Sequence, residues 1–221
     1  MNGADNLPFG AAPAAPAALA SPGGRRYRRR VTDPSPSPAS DAPSLWAWVL
    51  RAMAEPTVRR AVLTLQDAYG MSGSLVLWCA WAPRAGCVPG EATAVEIARH
   101  IEAFDRFVVR RLREVRRHLA SPRPGYAADG VAGLRREVYE AELAGERLLL
   151  TRLEAETRAC PDADAPEDRA AAAMGLFTLC RDNLELPVLL ADDLGDSGPA
   201  ALFAQVDARA PAASPQGAED G

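Results

Sequence analysis

Ile97, Ile101, Phe104, Val108, Leu112, Val115 and Leu119 recur at steps of three and four residues. That spacing lays an apolar stripe along one side of a helix over about residues 92–120. A stripe of this length has to be covered, and helices are the natural cover in a chain that shows no alternating strand pattern. Such helices are legible on both sides of it. Ser44 stands where it can cap a first helix, LWAWVLRAMAE, which stops at Pro56. That proline suits the first turn of a second helix, PTVRRAVLTLQDAYG, in which Val58, Ala61, Val62, Leu65 and Tyr69 share a face. Gly70 falls at the position past its end where a positive φ lets the chain turn.

A third helix over 75–82 ends at Pro83, and the long fourth helix follows a loop containing Gly86, Pro89 and Gly90. A fifth spans roughly 131–159 and a sixth roughly 166–185. In the fifth, Leu134, Val138, Ala141, Gly145 and Leu148 form one apolar stripe, with Tyr139, Leu143 and Leu150 on roughly the opposite side. A helix apolar on two sides is either central in its bundle or half of an interface, and the central place is the expectation here.

The ends read differently. Residues 1–43 are rich in Ala, Pro, Ser and Gly, carry a net +2, and are expected to be disordered. Residues 187–221 carry −5 and are expected to be mostly disordered, apart from a short helix at PAALFAQV. The fold class is therefore all-α, a single compact bundle of about six helices in residues 44–186 between two disordered tails. RRYRRR at 25–30 is followed by VTDPSPSPAS instead of an apolar stretch, so it does not read as a secretory leader. LVLWCAWA, the most apolar run, is far shorter than the ~20 residues of a spanning helix. Cys79, Cys87, Cys160 and Cys180 contain no C-x-x-C pair, which points away from a disulfide framework or a zinc site. A cytoplasmic location, away from the membrane, is the expectation.

All 25 basic residues are arginine. Counted at 100° per residue, Arg99, Arg106, Arg110, Arg113 and Arg117 fall within about 60° of one another, opposite the apolar stripe. Like charges so placed repel by roughly 0.2–0.5 kcal/mol per i,i+4 pair. Relief could come from Glu96, Glu102 and Glu114, from the acidic fifth helix folded alongside, from an acidic protein partner, or from a nucleic-acid backbone. With a net charge of −4 and no recognisable nucleic-acid motif, nucleic acid is the less favoured partner.

Chemistry finds little support. Glu96 precedes His100 and Glu114 precedes His118 by four residues each, but the histidines stand about 27 Å apart on one helix and cannot share a metal. No nucleophile elbow or phosphate loop is present. No catalytic residue, metal or cofactor is expected.

One stretch concentrates polar groups: LTLQDAYGMSGSLVLWCAWA, residues 63–82. Asp67 could accept from the free N–H groups that start the third helix, beside a Ser74 cap. Trp78 and Trp81 share a face, with Gln66 as an acceptor for an indole N–H. Gln66, Asp67, Gly70, Ser74, Trp78 and Trp81 are thus read as a structural hinge. Leu45, Trp46, Leu65, Gln66, Asp67, Gly70, Cys79 and Trp81 also carry a resemblance to a proteobacterial family of short all-helical proteins, domain of unknown function 2390. The resemblance spans about 44–185, with LRREVYEAELAGERLLL similar to a later family helix. Ser74 and Gly73 stand where the family usually has Asn and an apolar residue. The resemblance implies the helical fold and no activity.

The expected function is a non-enzymatic interaction or accessory protein with an unknown protein partner, acting through the arginine face, with a homodimer as one form. The rivals are a nucleic-acid-associated regulator using the same arginines and RRYRRR, and a small-molecule binder or enzyme with a pocket between the second and third helices near Gln66, Asp67 and the tryptophans.

Overall fold

In the computed structural model the described residues are 44–122, 124–160, 165–184 and 198–213, all within one compact unit, Ala39–Gly221. The helices are α1 (Leu45–Ala54), α2 (Pro56–Ala68), α3 (Gly73–Arg84), α4 (Glu91–Phe104), α5 (Arg110–His118), α6 (Ala128–Arg158), α7 (Arg169–Asn183) and α8 (Pro199–Arg209). A π-helical turn, Asp105–Val109, joins α4 to α5, so these two run as one continuous rod. The RRYRRR segment lies outside the described residues.

Local chemistry sets the first boundaries. The Ala47 N–H donates to Ser44 Oγ, and Glu55 caps α2 by accepting from the Val58 N–H at 2.8 Å, just before Pro56. Gly70 turns the chain with φ 64°, and the Met71 N–H returns to the Leu65 carbonyl. The third helix starts at Gly73 behind Ser72, so Ser74 lies inside its first turn, buried, instead of capping it.

The centre of the fold is α3, where every residue from Gly73 to Pro83 is buried. A short helix apolar all round needs neighbours on all sides, and it packs against α2, α6, α7 and α8. The long α6, expected at the centre, is peripheral: Leu149, Leu150 and Leu153 reach the core while Leu134, Tyr139 and Leu148 face solvent. The alternative reading of two-sided apolarity, half of an interface, therefore describes its exposed stripe better.

The acidic C-terminal region is also corrected. Residues 198–213 belong to the packed domain, with Leu202, Phe203 and Val206 buried. Phe203 stacks on Phe177 with ring centroids 4.2 Å apart. Arg84 pairs with Asp207, and the Trp48 indole N–H donates to the Pro211 carbonyl at 2.9 Å. The expected domain end after residue 186 therefore excludes part of the core. PAALFAQV is helical, as read, but its neighbours across the chain make it structural.

The π turn changes the main stripe. Ile97 and Ile101 are buried, but Phe104, Val108 and Val115 lie on the surface. The buried row continues instead through Asp105, Val109 and Arg113, in steps of four. Such a row drifts around an ideal α-helix of 3.6 residues per turn, and the wider π turn absorbs the drift. The Arg110 N–H reaches back five residues to the Asp105 carbonyl. Gly145 of α6 lies against this turn, where a Cβ would meet Val109 Cγ2 at 3.0 Å.

Candidate functional site

The re-registered helix brings the arginines inward, where α6 and the end of α2 supply carboxylates. Arg113 is buried; its Nε donates to Glu142 Oε1 at 3.0 Å and its Nη2 to Glu146 Oε1 at 2.9 Å. Arg116 donates to the same Glu142 and lies over the Tyr139 ring. Arg110 Nη2 donates to the Gly70 carbonyl, to Glu102 Oε1 and to Asp105 Oδ2 at 2.9, 3.0 and 3.3 Å. Arg117 pairs with Asp67 at 2.5 Å, both about half exposed. The five arginines of the sequence reading are therefore divided. Arg110, Arg113 and Arg117 are held within the chain, and Arg99 and Arg106 remain on the surface. Of the reliefs weighed from sequence, two act on this face: Glu102 takes Arg110, and the acidic helix folded alongside takes Arg113 through Glu142 and Glu146.

The polar stretch at 63–82 joins this cluster instead of forming a pocket. With its amide oriented to satisfy the hydrogen bonds, Gln66 accepts from both terminal nitrogens of Arg113, 2.6 Å from Nη2. Its side chain also lies 3.4 Å from where a Cβ on Gly73 would stand. Trp78 donates to Thr157 Oγ1 at 2.8 Å, so its acceptor comes from α6 and not from Gln66. Trp78 and Trp81 are fully buried and fill the space beside α2 where a small-molecule pocket was one reading. Asp67 caps nothing in α3; its bond is to Arg117. Arg116, Glu142 and Glu146 were missed because the link between α5 and α6 is visible only once the two helices are placed together.

Four guanidinium groups (Arg110, Arg113, Arg116, Arg117) thus meet five carboxyl groups (Asp67, Glu102, Asp105, Glu142, Glu146). Burial raises the pKa of three of these carboxyls, Glu102, Asp105 and Glu146. Burial pushes the Glu102 carboxyl up to about 7, against the opposing pull of Arg110, with Asp105 adding to the rise. Burial likewise raises Asp105 and Glu146, opposed in both by Arg113. A carboxyl with a folded value above its unfolded value binds its proton more tightly in the native state. Its stabilising contribution is full below the unfolded value and is lost as pH rises through the folded one. The native state is therefore expected to gain roughly 2 kcal/mol from Glu102 on going from about pH 7.5 to about pH 5.5. Urea unfolding at the two pH values measures this. Glu102→Gln should stabilise the protein at the higher pH and flatten the difference; a slope of opposite sign, unaffected by that change, would contradict the assignment.

Among the described residues no group of three or more His, Cys, Asp and Glu side chains converges to hold a metal ion, and no helix is long and apolar enough to cross a membrane. Cys79 and Cys180 are buried free thiols with Sγ atoms 3.9 Å apart. Burial pushes the Cys79 thiol well up, which makes it a poor nucleophile.

The surface left open lies on the far side of the α4–α6 hairpin. Phe104, Val108 and Val115 on one helix and Leu134 and Leu148 on the other are exposed. Between the helices is a hollow of about 370 Å³ lined by His100, Ile101, Phe104, Leu148, Leu149 and Arg152. The family model described as "Protein of unknown function (DUF2390)" matches residues 44–153, which include both sides of this hairpin. No curated protein and no solved structure matches the chain.

Proposed function

The chain belongs to the DUF2390 family of proteins of unknown function, and from that membership we propose that it is a cytoplasmic, non-enzymatic helical interaction protein that works through the open seam of its α4–α6 hairpin. The carrying observation is that the most regular apolar stripe in the sequence is half uncovered: Phe104, Val108 and Val115 stand beside Leu134 and Leu148 in solvent. Scattered apolar residues on a surface are ordinary, whereas two adjacent stripes around a hollow mark an interaction site. The internal neutralisation of Arg110, Arg113 and Arg117 favours this seam over the arginine face as the working surface.

The occupant that fits is a second copy of the chain. From His100 to His118 the seam runs about 27 Å, and two helices at 8–10 Å separation make it about 20 Å wide. That projects to roughly 500 Å², and its corrugated accessible area approaches the ~800 Å² per partner of a stable contact. Twofold pairing of two hairpins forms a four-helix bundle, a common solution for exposed helical stripes.

Light scattering and sedimentation velocity over a range of concentrations are expected to give a dimer. Phe104→Glu and Leu148→Glu, both at exposed positions, should give monomers with unchanged circular dichroism. A wild-type monomer at about 100 μM would overturn this pairing. So would a dimer that survives both changes.

A further inference from the structure

We propose that Cys79 and Cys180 form an oxidative cross-linking site, closed into a disulfide while the chain folds and shielded by the core afterwards. The carrying observation is a contact that cysteine spacing could not reveal. The two residues lie 101 positions apart, one in α3 and one in α7, and the Cys79 thiol donates to Cys180 Sγ at 3.9 Å. Both are buried and both are free thiols.

Geometry favours this pair over the others. A disulfide holds its sulfurs about 2.0 Å apart, so closure from 3.9 Å asks for an approach of about 1.9 Å. Rotation about a Cα–Cβ bond between staggered positions moves a cysteine sulfur farther than that. Cys180 stands in the buried row of α7 with Ala173, Leu176 and Phe177, and this helix packs against α3. Cys87 and Cys160 are partly exposed and lie outside the core. Folding thus raises the effective concentration of one thiol beside one other.

Once folded, the pair is guarded. Exchange starts from a thiolate, and burial pushes the Cys79 thiol well up, so little of it is ionised. Exchange also needs access to the sulfur, which the core denies. The open chain has neither barrier. There a cysteine thiolate attacks oxidised glutathione, forming a mixed disulfide and releasing one reduced glutathione. As α3 and α7 come together, the second cysteine's thiolate attacks the protein sulfur of that mixed disulfide, and the second glutathione leaves. Two protein thiols are oxidised, one oxidised glutathione becomes two reduced ones, and the two thiol protons end on them. A chain folded in an oxidised thiol pool is cross-linked, one folded in a reduced pool is not, and each keeps the state in which it folded.

The test refolds the full, reduced chain from denaturant with oxidised glutathione in excess, then alkylates it and digests it with trypsin without reduction. Each cysteine falls on its own tryptic peptide: Cys79 in 61–84, Cys87 in 85–99, Cys160 in 159–169 and Cys180 in 170–181. Peptides 61–84 and 170–181 are expected to be joined in most molecules, and the whole chain to be lighter by two hydrogen atoms. A link across so long a loop should raise the melting temperature by at least about 5 °C over the reduced chain. The folded, reduced chain in the same buffer should form the link at least about a hundredfold more slowly than the refolding chain. Links spread among the four peptides, or glutathione left on Cys79 or Cys180, would overturn the site. So would a joined chain that melts no higher than the reduced one. Equal rates for the folded and the refolding chain would overturn the guarding by the core.

Discussion

Replacing Arg113 with methionine is expected to lower the unfolding free energy by about 3–5 kcal/mol, the cost of removing one partner from a buried charge pair. Methionine fills most of the volume of the arginine stem, so the loss is mainly electrostatic and not a cavity effect. Arg113 holds Glu142, Glu146 and the Gln66 oxygen at once, and it opposes the burial that raises the pKa of Asp105 and Glu146. Without it, Glu142 keeps Arg116, but Glu146 and Gln66 are left facing an apolar side chain. Both carboxyls should then take up protons more readily, so the deficit is largest near neutral pH and smaller in mild acid. Urea unfolding of the two proteins at two pH values checks both the size and its trend. A cost below about 1 kcal/mol, as for an exposed pair, would mean that this cluster is wet and contributes little to the fold. Adding Glu146→Leu to Arg113→Met should recover part of the loss, because the carboxyl left alone is removed while Glu142 keeps Arg116.

This cluster also marks where the sequence stopped being legible. Ser44, Glu55, Pro56 and Gly70 could be read because a cap or turn depends on residues a few positions away. Ile97 and Ile101 could be read because the helical period holds to that point. Beyond Phe104 the period fails at the π turn. The turn is held by partners far along the chain: Gly145 against Val109, and Glu142 and Glu146 on Arg113. No local pattern encodes those contacts, so uniform 100° counting sent Phe104 and Val108 inward and Arg113 outward. The same error concealed the proposed seam, whose Phe104, Val108 and Val115 were counted inward and lie on the surface.

Changing Phe203 to alanine is expected to cost about 3–5 kcal/mol, the range for truncating a fully buried aromatic side chain. The expectation tests whether the acidic C-terminal region is an appendage, as its composition implied, or the closing piece of the core. Phe203 has no exposed surface and stacks on Phe177 at 4.2 Å with an interplanar angle of 9°, so the change removes a whole ring from between α7 and α8. Few neighbours can refill that space. Phe177 is fixed on α7, and α8 is pinned by the Arg84–Asp207 pair and by the Trp48 bond to Pro211. The variant should therefore melt as one cooperative unit at lower temperature, with fluorescence of the core tryptophans reporting the same transition as circular dichroism. Separate transitions, or tryptic cleavage after Arg209 without loss of the remaining helix signal, would instead describe α8 as a detachable segment. The family match ends at residue 153, before α7 and α8 begin. A single cooperative loss of this size would thus show that the matched region depends for its stability on residues outside it, which reach it through α7 against α3, α8 against α2 and the Arg84–Asp207 pair.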